Sequence, residues 1–376
     1  NKHTSIEIDM SRRTYFWIWI IHKLLLSKLL IFSYIWQSQI ILKNLSYQHL
    51  LSLINKKLNK MNHIPSVDLR DFLSDDKNKK SLFVQSIGKA FQDIGFCAVR
   101  GHFLDEDLIK RLYSQIKLFF DLPVEVKRKY EHPEFSGQRG YVSFGKESAK
   151  GSKHGDLKEY WHFGQYISDE DITKYNYFPN IIVDELPEFN KVGEEVYKTL
   201  EKTAKYVLRA LALYLDLDEN YFDNFIHNGN SILRPIHYPP IKEDPKDAVR
   251  AAAHGDINLI TLLMGAHGRG LQVLNTNGEW IDAVATEDEL MINIGDMLSR
   301  HTNNVLKSTV HRVVNPDKEL LRKSRYSIPF FMHPVSEMKL NVLDSCVSDE
   351  LPKAYDDITA GEFLEERLIE LGLLKK

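Results

Sequence analysis

Residues 254–265 read HGDINLITLLMG, a His-x-Asp pair leading into an apolar, partly β-branched run that ends in glycine. A run of that length and composition predicts a buried strand. Strand side chains alternate with period two, so His254 and Asp256 at its mouth are sent to the same side. Two imidazoles and a carboxylate on one face of a metal leave its other positions open for reactants. The pair therefore predicts a second histidine on a distant strand lying alongside, which requires a closed or two-layered β architecture.

The surrounding sequence supplies such strands. SILRPIHYP, GLQVLN, GEWIDAV, ELMINIG, STVHRVV and RYSIPFFMH follow at short intervals from Ser231, with turn signals at Asn277-Gly278 and Asn315-Pro316-Asp317. This spacing predicts a sandwich or jelly roll. Upstream, Ile64–Leu69 and Phe96–Arg100 read as strands, and Ser81–Ile94, Glu106–Phe120 and Glu188–Tyr214 as helices. Ser136–Gly164 is glycine-punctuated and reads as irregular, and Gly361–Leu374 has the spacing of a C-terminal helix. The expected class is mainly β with flanking α. A jelly-roll core (229–340) follows an N-terminal α/β extension (61–228) and precedes a helical C-terminal region (341–376).

His311 in STVHRVV is the candidate third ligand, with Thr309, His311 and Val313 on one strand face. Fifteen histidines make a His-x-Asp match expected by chance, and a second occurs at His154-Gly155-Asp156. That pair lies in the irregular segment, and His162 follows too soon to supply a facing strand. Any one of these histidines alone reads more simply as structural; His254, Asp256 and His311 together read as a metal set. Arg325 and Ser327 lie two apart in front of IPFF, so they share a face directed inward. A buried arginine needs an anion, and a planar guanidinium beside a hydroxyl suits a carboxylate of a small dicarboxylic acid. An ion pair to a core acid is the alternative.

Hydrophobic residues at 43% and charged residues at 27% describe a globular chain. Lys+Arg at 49 against Asp+Glu at 52 leaves no basic excess for a nucleic-acid backbone. The two cysteines, Cys97 and Cys346, form no CxxC pair, which excludes a disulfide framework and fits a reducing compartment. The first sixty residues differ from the rest. Tyr15–Trp36 is apolar and aromatic and about long enough to span a bilayer. His22, Lys23 and Lys28 inside it are costly at mid-bilayer, and an anchor oriented by Arg12 and Arg13 would place the remainder outside the cytosol. The expectation is an artefactually extended reading frame, with a membrane anchor or surface helix as rivals. The functional chain would then start near Met61 and work in the cytoplasm.

HGDINLITLL, GLQVLNTNGEWIDAV, INIGDMLSRHTNNVLKSTVHRVVNP and RYSIPFF resemble the isopenicillin N synthase-like branch of the 2-oxoglutarate/iron(II) oxygenases. The likeness extends upstream to IPSVDL, FCAVRGH, RGYVSFGKE, DLKEYWHFG and LRPIHYPP, and so covers nearly everything from about Met61. It implies a double-stranded β-helix with an added N-terminal domain. It implies Fe(II), 2-oxoglutarate as co-substrate and dioxygen, with His254, Asp256 and His311 as iron ligands. Arg325 and Ser327 would hold the oxoglutarate carboxylate, and Tyr238 of HYPP would lie against co-substrate or substrate. Asp156 then begins the DLKEYWHFG-like segment and is no ligand. Asp256 stands where related halogenases carry Gly or Ala. DKELLRKS before Arg325 is insertion-like, which makes Arg322 a rival, but Arg322 lacks the IPFF strand directly after it.

The reaction implied is hydroxylation or desaturation of a small molecule with release of succinate and carbon dioxide. Tyr141, Tyr160, His162, Tyr238 and Phe331 are candidate substrate contacts that could equally be core packing. Two rivals stand beside it: an oxoglutarate-independent iron oxidase of the same fold, and a non-catalytic jelly-roll binding protein. The sequence leaves substrate and oligomeric state open.

Overall fold

The computed structural model describes residues 63–135, 137–146, 157–241, 250–265, 270–314 and 322–370. The apolar run Tyr15–Trp36, the turn at Asn315–Asp317 and the second His-x-Asp match at His154 and Asp156 lie outside the described residues. Met61–Lys376 forms one compact unit. Among the described residues, no helix is long and apolar enough to cross a membrane.

The described residues contain thirteen strands: β1 Ser66–Asp68, β2 Phe96–Arg100, β3 Gly140–Val142, β4 Glu159–His162, β5 Ile232–Leu233, β6 Ile236–Tyr238, β7 Ala251–His254, β8 Ile260–Met264, β9 Leu271–Leu274, β10 Trp280–Asp282, β11 Glu289–Ile294, β12 His311–Val313 and β13 Arg325–Met332. The larger sheet runs β1-β2-β11-β8-β13-β6-β4-β3, with β5 also on β13; the smaller runs β10-β9-β12-β7. Apart from the parallel β1–β2 pair, the ladders are antiparallel. Strands from the N-terminal stretch flank the larger sheet on both sides, β2 pairing with β11 from Glu289↔Arg100 to Asn293↔Phe96. Mainly β with flanking α, with a jelly-roll core, is the architecture found, as expected.

The longer helices among the described residues are α1 Lys77–Asp93, α2 Glu106–Phe120, α3 Pro187–Tyr214 and α4 Ala360–Glu370. α1 begins four residues before the expected Ser81, because Asp76 caps it by accepting from the amides of Asn78 and Lys79. α3 buries Val192, Val196, Leu200, Ala204, Val207 and Leu211, a stripe at helical spacing that covers the sheet's outer face. There Tyr197 meets Phe330 edge-on at 5.1 Å, and Ile328, Phe330 and Met332 are fully buried. Alternation along β13 therefore sends Arg325, Ser327 and Phe331 to the opposite, inner face.

The segment Ser136–Gly164, expected to be irregular, carries β3 and β4. β3 pairs with β4, and β4 joins the sheet through β6, more than seventy residues away, so no local periodicity announces them. β7 is likewise absent from the expected strands, since RAAAH has little β propensity and gains its conformation from pairing with β12.

α1 and α3 approach closely at Gly88. A Cβ there would fall 2.1 Å from Cγ of Tyr214, whose hydroxyl is tied to Gln92 at 2.6 Å. Gly88→Ala should therefore lower stability by about 1–3 kcal/mol despite the better helix propensity of alanine. A urea unfolding midpoint equal to or above wild type would show that the ring moves aside freely.

Candidate active site

The mouth of the jelly roll gathers the three predicted ligands. His254 ends β7, Asp256 lies two residues on in the turn toward β8, and His311 opens β12 directly opposite His254 in the ladder. One ligand atom from each lies within 4.8 Å of the others. Both histidines aim Nε2 at the same carboxylate oxygen, Asp256 Oδ1, at 3.9 Å from His254 and 3.8 Å from His311. Their Nδ1 atoms face backbone carbonyls, Ala252 at 2.7 Å and Thr309 at 3.2 Å. With each Nδ1–H donating to its carbonyl, the Nε2 lone pair is left for a metal.

The other oxygen of Asp256 is fully engaged. Thr261 Oγ1 and Asn293 Nδ2 donate to Oδ2 at 2.7 and 2.8 Å from neighbouring strands of the larger sheet. Burial alone would raise the Asp256 carboxyl, but His311, His254 and these two donors hold it below the usual aspartate value. Burial, with His311 beside it, lowers His254. Neutral imidazoles beside an ionised carboxylate are the protonation states that metal ligation needs. His311 is further fixed by Phe96 of β2, edge-on at 5.5 Å. The side chain of His254 is 45% exposed, whereas those of Asp256 and His311 are 7% and 9% exposed, so the site opens on the His254 side. The donor set fits a divalent metal with vacant positions.

Arg325 and Ser327 lie where alternation put them, opposite Tyr238 and Ile236 in the β6–β13 ladder. The Arg325 guanidinium lies over the Tyr238 ring at 5.6 Å. Its Nη1 also comes within 4.0 Å of where a Cβ on Gly270 would sit, beside the Val314 carbonyl and thus close to the end of β12. Arg325 thus sits near the end of the strand that His311 opens. Arg322 is exposed, whereas Arg325 is half-buried.

The expected substrate contacts divide. Tyr141 faces away, packed on Phe119 at 5.9 Å with its hydroxyl donating to Glu159. Tyr160 and Phe331 instead bracket the guanidinium of Arg234 at 4.6 and 5.0 Å. Arg234 Nε donates to His162 Nε2, and His162 Nδ1 donates to the Gly137 carbonyl at 2.7 Å. Burial first, and Arg234 next, hold His162 well below the usual histidine value, so it stays neutral. Arg234 was visible only as a letter in SILRPIHYP; its position opposite Pro329, through an amide–carbonyl bond, sets its inward direction.

Behind the clamp lies a buried ionic network that the sequence did not announce. Lys127 Nζ donates to Glu159 at 2.8 Å and to the Phe120 carbonyl at 2.9 Å. His237 Nδ1 meets Glu159 at 2.8 Å, and its Nε2 meets Ser324 Oγ at 3.1 Å. His237 also stacks on Tyr326, with ring centres 4.9 Å apart. His237 and Tyr326 are the chain neighbours of Tyr238 and Arg325, so the network braces the clamp's two strands from behind.

Comparison with known proteins agrees with this geometry. Residues 64–185 match the family described as non-haem dioxygenase in morphine synthesis, N-terminal, and residues 229–334 match the 2OG-Fe(II) oxygenase superfamily. The 2-oxoglutarate-Fe(II) type oxidoreductase hxnY of Emericella nidulans is 32% identical over 315 residues, covering 80% of this chain and 88% of that protein. A 2OG-Fe(II) oxygenase family protein of Caulobacter crescentus superposes with a TM-score of 0.76 at 42% identity, covering 82% of this chain and 99% of the other. A full-length Neurospora crassa protein, solved in complex with alpha-KG, gives 0.72 at 32% identity over 81% and 96%. With two family matches spanning most of the compact unit and a metal-ready triad at its mouth, this chain belongs to the isopenicillin N synthase-like branch of the 2-oxoglutarate/iron(II)-dependent oxygenases.

Proposed function

We propose that His254, Asp256 and His311 hold the iron(II), that Arg325 and Ser327 bind the far carboxylate of 2-oxoglutarate, and that the product is a hydroxylated or desaturated small molecule. The observation that carries this reading is the division of labour at Asp256. Two donors saturate Oδ2, while two imidazole Nε2 atoms converge on Oδ1. When bound, iron and 2-oxoglutarate supply the oxidising chemistry, in which dioxygen is consumed as the co-substrate becomes succinate and carbon dioxide. The chain's residues do the rest. The carbonyl-anchored imidazoles fix ligand direction, Arg325 and Ser327 fix the co-substrate's reach, and apolar residues of the inner face limit water. Tyr238 lies with its ring under the Arg325 guanidinium.

The primary substrate would occupy the inner face beyond the triad, where Tyr160, His162, Arg234 and Phe331 converge. A guanidinium bracketed by two rings suits a small, planar molecule bearing carbonyl or carboxylate oxygens. The relatives include the Neurospora crassa protein, also solved with thymine, and a Petromyces alliaceus protein named proline hydroxylase, both consistent with a small polar substrate. A cytoplasmic setting, where iron(II) and 2-oxoglutarate are available, completes the proposal.

A panel of nucleobases, amino acids and small carboxylic acids, scored by substrate-dependent succinate, tests it. The expected result is stoichiometric succinate with one class of substrate. Oxygen uptake without succinate would sink the oxoglutarate reading in favour of an oxidase. Protein that binds no iron, and whose oxoglutarate affinity ignores His254→Ala, would favour a binding module.

A further inference from the structure

Arg250 stands immediately before β7, four residues from His254, and has no role in the site described so far. It is 1% exposed, one of the largest fully buried side chains among the described residues. Its Nε and Nη2 atoms have no hydrogen-bond partner, and no described carboxylate pairs with it. A buried guanidinium with two of its nitrogens unsatisfied is costly for a protein to keep. Its setting makes the cost higher. The guanidinium lies over the ring of Tyr238 at 5.3 Å, and Arg325 lies over the same ring at 5.6 Å. Burial and the neighbouring Arg325 charge together push Arg250 down to about 10. Two like charges share one aromatic neighbour inside the barrel, with no described anion between them.

A second anion-binding group at this spot has one candidate occupant, because Arg325 already defines the carboxylate end of the co-substrate cavity. We propose that Arg250 is a second arginine for the distal carboxylate of 2-oxoglutarate, which it shares with Arg325 beside Tyr238. Forked donors from two guanidiniums would engage both carboxylate oxygens and hold them against the ring, and the ligand's charge would relieve the repulsion between the arginines. The pair would also make the site selective for 2-oxo acids with a second carboxylate over those without one. This rests on the assignment of Arg325 and Ser327 as the clamp.

The test is calorimetric titration of the iron(II)-loaded protein without oxygen, using 2-oxoglutarate and 2-oxobutyrate. Both carry the 2-oxo acid end, but only the first carries the distal carboxylate. Arg250→Met should weaken 2-oxoglutarate about ten- to hundredfold and leave 2-oxobutyrate within about twofold. Arg250→Lys, which keeps the charge but loses the fork, should fall between. Without co-substrate, Arg250→Met should melt at or above the wild-type temperature, because it removes an uncompensated buried charge. Unchanged 2-oxoglutarate affinity overturns the inference. So does an equal loss for the two acids with a lowered melting temperature, which marks a packing role. Arg325→Met run in parallel separates the readings: if it abolishes 2-oxoglutarate binding while Arg250→Met leaves the affinity unchanged, the clamp stands and this inference falls. A wild-type protein that binds no 2-oxoglutarate overturns both.

Discussion

Asp256→Ala is expected to abolish iron binding and cut substrate-dependent succinate formation at least ~10³-fold, about 4 kcal/mol of lost transition-state stabilisation. Asp256 is the only carboxylate in the described triad, and its oxygens are not equivalent. Oδ2 is held by Thr261 and Asn293, so rotation cannot present a different atom to the metal. Without it, two imidazoles 4.5 Å apart between ring centres must bind a divalent ion with no compensating charge. Thr261→Val and Asn293→Ala each remove one brace but keep the ligand, and should cost about 10- to 100-fold in iron affinity. Iron content after dialysis, read beside succinate yield, orders the three. If Asp256→Ala retained iron at wild-type stoichiometry, the triad would not be the metal site. Brace variants as damaging as Asp256→Ala would mean that a local collapse, and not ligation, is being measured. A melting temperature for the metal-free variants settles that, since Ala at a site burying one ionised carboxylate should leave the fold intact.

The triad was legible because each member lies beside a strongly patterned strand. INLITLLMG and STVHRVV announce themselves by apolar content, and the ligands need only be counted from them. The direction of Arg325 and Ser327 was legible for the same reason, since alternation along RYSIPFF puts Ile328 and Phe330 under α3 and leaves the other two on the opposite face. What escaped the sequence depends on partners remote in the chain. Arg250 follows a stretch with no strand pattern and precedes three alanines, so nothing local gave it a direction. Glu159 and Lys127 look like ordinary surface charges, separated by thirty-two positions, until β4 is placed beside β6. Arg234 gained its role only once Tyr160 and Phe331 closed on it from different strands. The ends of helices were misjudged where a cap decides them: Asp76 starts α1 on four polar residues that carry no apolar signal. Periodicity reports which face of an element is buried. It is silent on which two charged residues a sheet will bring together, and this site's electrostatics are made of such pairs.

The Lys127–Glu159 pair should show that dependence most plainly in stability. Both side chains are almost fully buried, at 5% and 7% exposure. Taking two charges out of water costs several kcal/mol each, offset here by their mutual attraction and by bonds from His237 and Tyr141. Glu159→Gln should therefore destabilise by about 3–5 kcal/mol, because it leaves the Lys127 ammonium buried without its countercharge. Lys127→Met should cost less, since His237 and Tyr141 still hold the carboxylate. The double variant should be more stable than the sum of the singles predicts, by more than about 1 kcal/mol, as expected for residues in one network. Strict additivity in urea unfolding would mean that the pair is not coupled. The pH dependence carries an independent sign. Burial alone would raise the Glu159 carboxyl, but His237, Lys127 and Tyr141 together hold it below the usual glutamate value. A depressed carboxyl contributes stability that is present above its unfolded value, about 4.3, and is lost as pH falls through the folded value. Wild-type stability should thus decline below about pH 4.3 more steeply than that of Glu159→Gln. Because His237 and Tyr326 flank Tyr238 and Arg325, the same variant should also weaken 2-oxoglutarate binding, with iron affinity unchanged. A loss confined to iron would place the network's influence on the triad instead of the clamp.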